Sequence, residues 1–168
     1  MSGRRRLSHV VPATGAVRMV DVGGKPESRR RATAEGRVRC DRETAALVAD
    51  GALAKGDVCA TARIAGILAA KRTAELIPLC HPLPLDDVSV DVVPDTELPG
   101  VRITATASCT GRTGVEMEAL TAVTVAALTV VDMIKSADRW STVEGVGLVA
   151  KSGGRSGDVT RPADRPLG

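Results

Sequence analysis

Along residues 33–40, small or apolar residues (Ala34, Gly36, Val38, Cys40) alternate with polar ones (Thr33, Glu35, Arg37, Arg39). A period of two sends the sets to opposite faces, which predicts a half-buried β-strand. Val88, Val90 and Val92 alternate in the same way with Asp87, Ser89 and Asp91. After the turn PDTELPG, Val101, Ile103, Ala105, Ala107 and Cys109 alternate with Arg102, Thr104, Thr106, Ser108 and Thr110. Two alternating runs around a Pro- and Gly-containing turn predict a hairpin. A last strand is expected near 143–150.

Between the strands the period changes. Asp41 is placed to cap a short helix ending at Gly51, and Asp57 to cap VCATARIAGILAAKRT, which must stop before Pro78. A Gly-containing loop, GRTG, leads into a long helix near 115–137. That helix is apolar at Met117, Leu120, Ala127, Val131 and Ile134, and also at Val123, Val125, Leu128 and Val130. The order β-α-α-β-β-α-β predicts an α+β fold, an antiparallel sheet with helices packed on one face. A helix apolar over most of its girth needs cover on more than one side. A homo-oligomer with this helix near an interface is therefore expected.

The ends are less patterned. Residues 1–17 read as a flexible arm, 18–158 as one folded domain and 159–168 as a flexible tail, with looseness already expected from SGGRSGD onward. The 168-residue length fits a single domain.

Composition narrows the function. The chain has no Phe and no Tyr, and Trp140 is its sole aromatic residue. Single-stranded nucleic-acid binders stack bases on aromatic rings, so this scarcity argues against such a partner. A net charge of +3 suits an anionic small molecule. Cys40, Cys59, Cys80 and Cys109 form no C-x-x-C pair and read as separately buried thiols in a reducing compartment. The N-terminal arginines precede no apolar h-region, and no uninterrupted apolar run reaches the ~18 residues of a membrane span. A cytoplasmic location is the expectation.

Several residues carry possible chemistry. Asp132 and Lys135 lie three apart on one helical face, either an ordinary helical ion pair or an acid–base pair tuned by apolar neighbours. Glu116 and Glu118 follow GRTG, where carboxylates suit the helix dipole and also suit the N–H groups of a polar ring. His81 stands in LIPLCHPLPL, a run whose prolines restrict the loop. A lone histidine there is more often packed core than ligand, and zinc would need three or four ligands at recognisable spacing. In KSGGRSGD, consecutive glycines between Lys151 and Arg155 suit a phosphate cradle, although without Walker spacing. Together with Arg30 and Lys55, these residues describe a site for a polyanion carrying a polar heterocycle.

The runs MVDVGGK, GDVCATARIAGILAAKRTAELIPLCHPL, TGRTGVEMEALTAVTVAALTVVDMIK and AKSGGRSGD resemble the cyclic pyranopterin monophosphate synthase family, molybdenum cofactor biosynthesis protein C. The resemblance covers roughly residues 18–158. It implies conversion of 3′,8-cyclo-7,8-dihydroguanosine 5′-triphosphate to cyclic pyranopterin monophosphate with release of pyrophosphate. It also implies a ferredoxin-like fold, a hexamer built as a trimer of dimers, and no metal or organic cofactor. By motif, Asp132 and Lys135 are similar to the family's catalytic pair. Leu79, Cys80, His81, Glu116, Met117 and Glu118 match its substrate-binding segments, and Lys55, Lys151 and Arg30 match its basic pocket residues. Val131 and Val159 stand where the family commonly has aromatics.

Two other readings predict different behaviour. A nucleotide- or RNA-binding module using Arg4–Arg6 and Arg29–Arg31 would bind with steep salt dependence. A hydrolase with a metal at Cys80 and His81 would hold stoichiometric zinc.

Overall fold

The computed structural model describes residues 9–11, 14–95 and 97–167. The chain runs β1 (Ser28–Arg39), α1 (Arg42–Ala49), α2 (Val58–Ala70), α3 (Thr73–Leu76), β2 (Asp87–Asp95), β3 (Gly100–Gly111), α4 (Glu116–Ile134), β4 (Thr142–Ser152) and β5 (Val159–Thr160). The strands form one antiparallel sheet in the order β2-β3-β1-β4-β5. With α1–α3 taken as one crossover, β1 to β4 follow the β-α-β-β-α-β order of ferredoxin-like folds.

The alternation along the strands decides which face is covered. In β1, Ala32, Ala34, Gly36 and Val38 are buried beneath the helices, and Arg31, Glu35 and Arg39 are exposed. Ala34 pairs with Ala105, and Arg37 with Arg102. The strand begins at Ser28, five residues before the alternation becomes legible, because β3 continues to Gly111 and pairs with it there.

Asp41 caps α1 by accepting a hydrogen bond from the Thr44 amide at 2.7 Å, and Asp57 caps α2 through the Ala60 amide at 2.8 Å. The run expected as one helix after Asp57 breaks into α2 and α3.

Helix α4 packs on the sheet beside α2, which itself rests against β2. Ala119, Ala122, Val123, Ala126, Ala127, Val130 and Ile134 are completely buried. By length and composition α4 would also cross a membrane, and it is the one such helix among the described residues. Here its apolar surface is spent on the protein core. This corrects the argument that its girth requires a neighbouring chain, because α2 supplies the second cover. Small side chains permit that approach: a Cβ added at Gly66 of α2 would stand 2.9 Å from the Ala122 carbonyl oxygen on α4. The large apolar residues left exposed on this layer are Ile64 and Leu68 on α2, Leu76 on α3, and Met117 and Leu128 on α4.

At the N-terminus, residues 1–8, 12 and 13 lie outside the described residues. Within the rest of the expected arm, Val10 and Val17 form an antiparallel bridge. At the C-terminus, part of the segment expected as a tail lies along the sheet. Val159 and Thr160 pair with Lys151 and Ala150, and the Arg161 amide donates to the Val149 carbonyl at 2.7 Å. The edge of β4 offers unpaired backbone groups, and the tail satisfies part of that row. Cys40 and Cys109 are buried as expected, whereas Cys59 and Cys80 are only half-buried; all four are free thiols.

Candidate active site

Two adjoining chambers open where the start of α4 meets β1, β4 and the loop after α3. The larger, about 770 Å³, carries six cations, Lys25, Arg30, Arg31, Arg112, Lys151 and Arg155, and one carboxylate, Glu116. Gly24, Gly114, Gly153 and Gly154 bring backbone to its wall. The smaller, about 330 Å³, is lined by Leu79, Cys80, His81, Leu83, Met117 and Glu118, with His9 and Val20 closing it. Lys25, Thr113, Gly114 and Glu116 line both. One side of the site is thus strongly cationic, and the other mixes apolar Val20, Leu79, Leu83 and Met117 with polar and charged groups. That suits a ligand with a multiply charged end and a flat heterocyclic end.

The cationic chamber is held by backbone. Arg30 donates from Nε to the Gly111 carbonyl at 3.3 Å, at the end of its own strand pair. Its guanidinium lies against Gly154, where an added Cβ would collide with Nη1 and where φ is +74°. Only glycine combines that conformation with so close an approach. Arg112 donates from Nη1 to the Gly23 carbonyl at 3.2 Å, tying the GRTG loop to the segment before β1. Lys151 Nζ pairs with Glu116 Oε1 at 2.8 Å, joining β4 to the first turn of α4.

Glu118, one residue beyond Met117, behaves differently from Glu116. It is only 3% exposed, and its Oε2 has no hydrogen-bond partner. Burial pushes its carboxyl above the ordinary range; a bond from its own amide opposes this, and the neighbouring Glu116 adds to it. The Cys80 thiol is also pushed up, first by burial and then by the charge of Glu118. His81 is half-buried in a loop fixed at both ends, with the Cys80 amide donating to Ile77 at 3.0 Å and the Asp86 amide to Ser108 at 2.9 Å.

The remaining candidates lie elsewhere. Asp132 Oδ1 accepts from Lys135 Nζ at 2.6 Å, and Lys55 Nζ donates to the Asp132 backbone carbonyl at 2.8 Å. The side chains of Asp132 and Lys135 are 63% and 57% exposed. The Asp132 carboxyl is held below its usual range by the hydrogen bond and charge of Lys135, with Lys55 adding to the effect. Apolar tuning is therefore not its environment. Asp132 stands sixteen positions along α4 from Glu116. At 1.5 Å per residue that is roughly 24 Å. Within one chain, the structure groups Arg30, Leu79, Cys80, His81, Glu116, Met117, Glu118 and Lys151, and sets Lys55, Asp132 and Lys135 apart as a second group.

Sequence reasoning passed over His9, Lys25 and Arg112 as pocket residues. Lys25 closes MVDVGGK and Arg112 sits inside GRTG, so both lay within quoted motifs. His9 had no signal, because its position depends on the Val10–Val17 bridge and on the Arg18 amide donating to the His9 carbonyl at 3.0 Å. No group of three or more His, Cys, Asp or Glu positioned to hold a metal occurs among the described residues.

Comparison with known proteins gives a consistent result. The sequence profile of the MoaC family matches residues 19–154. Proteins named cyclic pyranopterin monophosphate synthase from Brucella ovis, Brucella melitensis biotype 2 and Brucella abortus strain 2308 are each 56% identical over 165 residues. Each match covers 97% of this chain and 98% of the relative.

Proposed function

We propose that this chain, which belongs to the MoaC family, is a cyclic pyranopterin monophosphate synthase acting in the cytoplasm in molybdenum cofactor biosynthesis. Its substrate is 3′,8-cyclo-7,8-dihydroguanosine 5′-triphosphate, and its products are cyclic pyranopterin monophosphate and pyrophosphate. The observation that carries the reading is the joined pair of chambers, six cations beside a slot of mixed polarity with two carboxyl groups.

The triphosphate sits among Lys25, Arg30, Arg112, Lys151 and Arg155. These fixed cations stabilise the charge that builds on pyrophosphate as it leaves. The heterocycle enters the slot of Leu79, Cys80, His81, Met117 and Glu118. Opening one ring and closing two others requires protons to move at ring nitrogens and ribose hydroxyls. Asp132 and Lys135 are the acid–base pair for these transfers.

That assignment requires a second chain. The pair stands too far along α4 to reach the slot of its own protomer, and it is exposed, with Lys55 beside it. In a symmetric homo-oligomer, Lys55, Asp132 and Lys135 of one protomer complete the chambers of its partner. The hexamer built as a trimer of dimers, expected from the family, supplies such a pairing.

The test is to incubate purified protein with the cyclic dihydroguanosine triphosphate and follow pyrophosphate and pterin together, without added metal. Stoichiometric appearance of both supports the reading. Neither appearing from a folded oligomer rejects it.

A further inference from the structure

Glu116 and Glu118 are two carboxyl groups in one helical turn, and their surroundings separate them. Glu116 is ion-paired with Lys151 at 2.8 Å. Among the described residues no ion pair joins Glu118 to a cation; it is 3% exposed, with Oε2 sealed from solvent and unpartnered in the wall of the heterocycle slot. A buried charge without a partner is costly, and a buried carboxyl in that position takes up a proton instead. The titratable and charged groups near it support this. Glu116 lies on α4 itself, Cys80 and His81 come from the loop after α3, Cys109 from β3, and His9 and Lys25 from the segment before β1. Of these, Lys25 carries the single fixed positive charge, and no ion pair joins it to Glu118. Among the described residues, Glu118 is also the only charged-type residue in the buried set.

We propose that Glu118 is a neutral carboxylic acid at physiological pH and that on substrate binding its carboxyl turns from the wall into the slot, so that its O–H donates a hydrogen bond to a carbonyl oxygen or imine nitrogen of the substrate's pyrimidinone ring. Glu116, held by Lys151, keeps the complementary role of acceptor for ring N–H groups. The two carboxyls then read opposite features of one heterocycle: an acceptor edge by Glu118 and a donor edge by Glu116. An orphaned buried donor also sets specificity, because a ring lacking the acceptor leaves the donor unpaired on binding. This inference rests on the synthase reading for the identity of the ring, although the protonation state does not depend on it.

Two measurements decide it. The first is the infrared spectrum of glutamate-labelled protein at neutral pH, which requires no turnover. A protonated carboxyl band in wild type that is absent from Glu118→Gln is expected, and carboxylate bands alone would overturn the proposal. The second is kinetic. Glutamine keeps a neutral donor of similar shape, so Glu118→Gln should hold kcat/KM within about tenfold of wild type, whereas Glu118→Ala loses roughly tenfold to a hundredfold beyond that. Wild-type kcat/KM should fall as pH rises through the raised Glu118 pKa, and the Glu118→Gln profile should lack that limb. A glutamine variant as inactive as the alanine variant sinks the donor role, provided that wild type turns over. If wild type itself is inactive, the synthase reading fails, and the infrared result still decides the protonation state.

Discussion

Asp132 shows how exposure decides what a residue does. Its carboxyl is open to solvent and lowered by Lys135, so its charge persists as pH falls until the lowered pKa is reached. A carbon-13 titration of Asp132 should therefore give a midpoint below the ordinary carboxylate value, and a midpoint at or above it would contradict the Lys135 contact. Removing the charge with Asp132→Asn should leave the urea unfolding midpoint essentially unchanged, as for other surface changes. The same variant should lose turnover by roughly a hundredfold to ten-thousandfold if the group moves protons. Near-normal turnover would return the pair to the ordinary helical ion pair that its spacing equally allows. Gly154 acts at the same scale through shape. A Cβ there collides with the Arg30 guanidinium at a φ reserved for glycine. If Arg30 holds the triphosphate as proposed, Gly154→Ala should raise KM by about tenfold with a smaller change in kcat, since displacing a binding group weakens binding first. An unchanged KM would remove Arg30 from the triphosphate site.

Strands and helices differ in how much of themselves they declare. The hairpin of β2 and β3 was legible because valines alternate with Asp, Ser and Thr on both sides of a marked turn. The first four residues of β1 were not, because Ser28, Arg29, Arg30 and Arg31 are polar on both faces. Their strand state comes from pairing with Thr110, Cys109 and Ser108. Strand β5 was hidden for a similar reason, since two residues of strand exist only because β4 has an edge to fill. Helix α4 was legible as a helix, but periodicity alone could not say what covers it. Gly66 is where α2 does so. Gly66→Val should cost about 1–3 kcal/mol, because the added atoms meet the Ala122 carbonyl rather than a yielding side chain. An unchanged denaturant midpoint would mean that α2 and α4 are not in close contact.

At the scale of the whole molecule, the sequence names the candidate residues but does not show that they divide. Asp132 and Glu116 sit in one unbroken motif, and it is the rise of the helix between them that places them at opposite ends. Some of the pocket was also out of reach of pattern reading, because His9 and Lys25 reach it only through the path of the chain before β1. Under the proposed assignment the expected oligomer has a reason other than apolar girth, because the chambers and the Asp132–Lys135 pair stand apart within one chain.

The decisive measurement is subunit complementation. Asp132→Asn and Lys151→Ala protomers, each inactive alone, are mixed under conditions that exchange subunits and assayed for pyrophosphate release beside active wild type. If each chamber draws its acid–base pair from a neighbour, mixed pairs contain one intact site, and activity should return to about a quarter of wild type for random two-chain pairing. Verified exchange with no recovery would contradict the shared site and, with it, the place given to Asp132 in the chemistry.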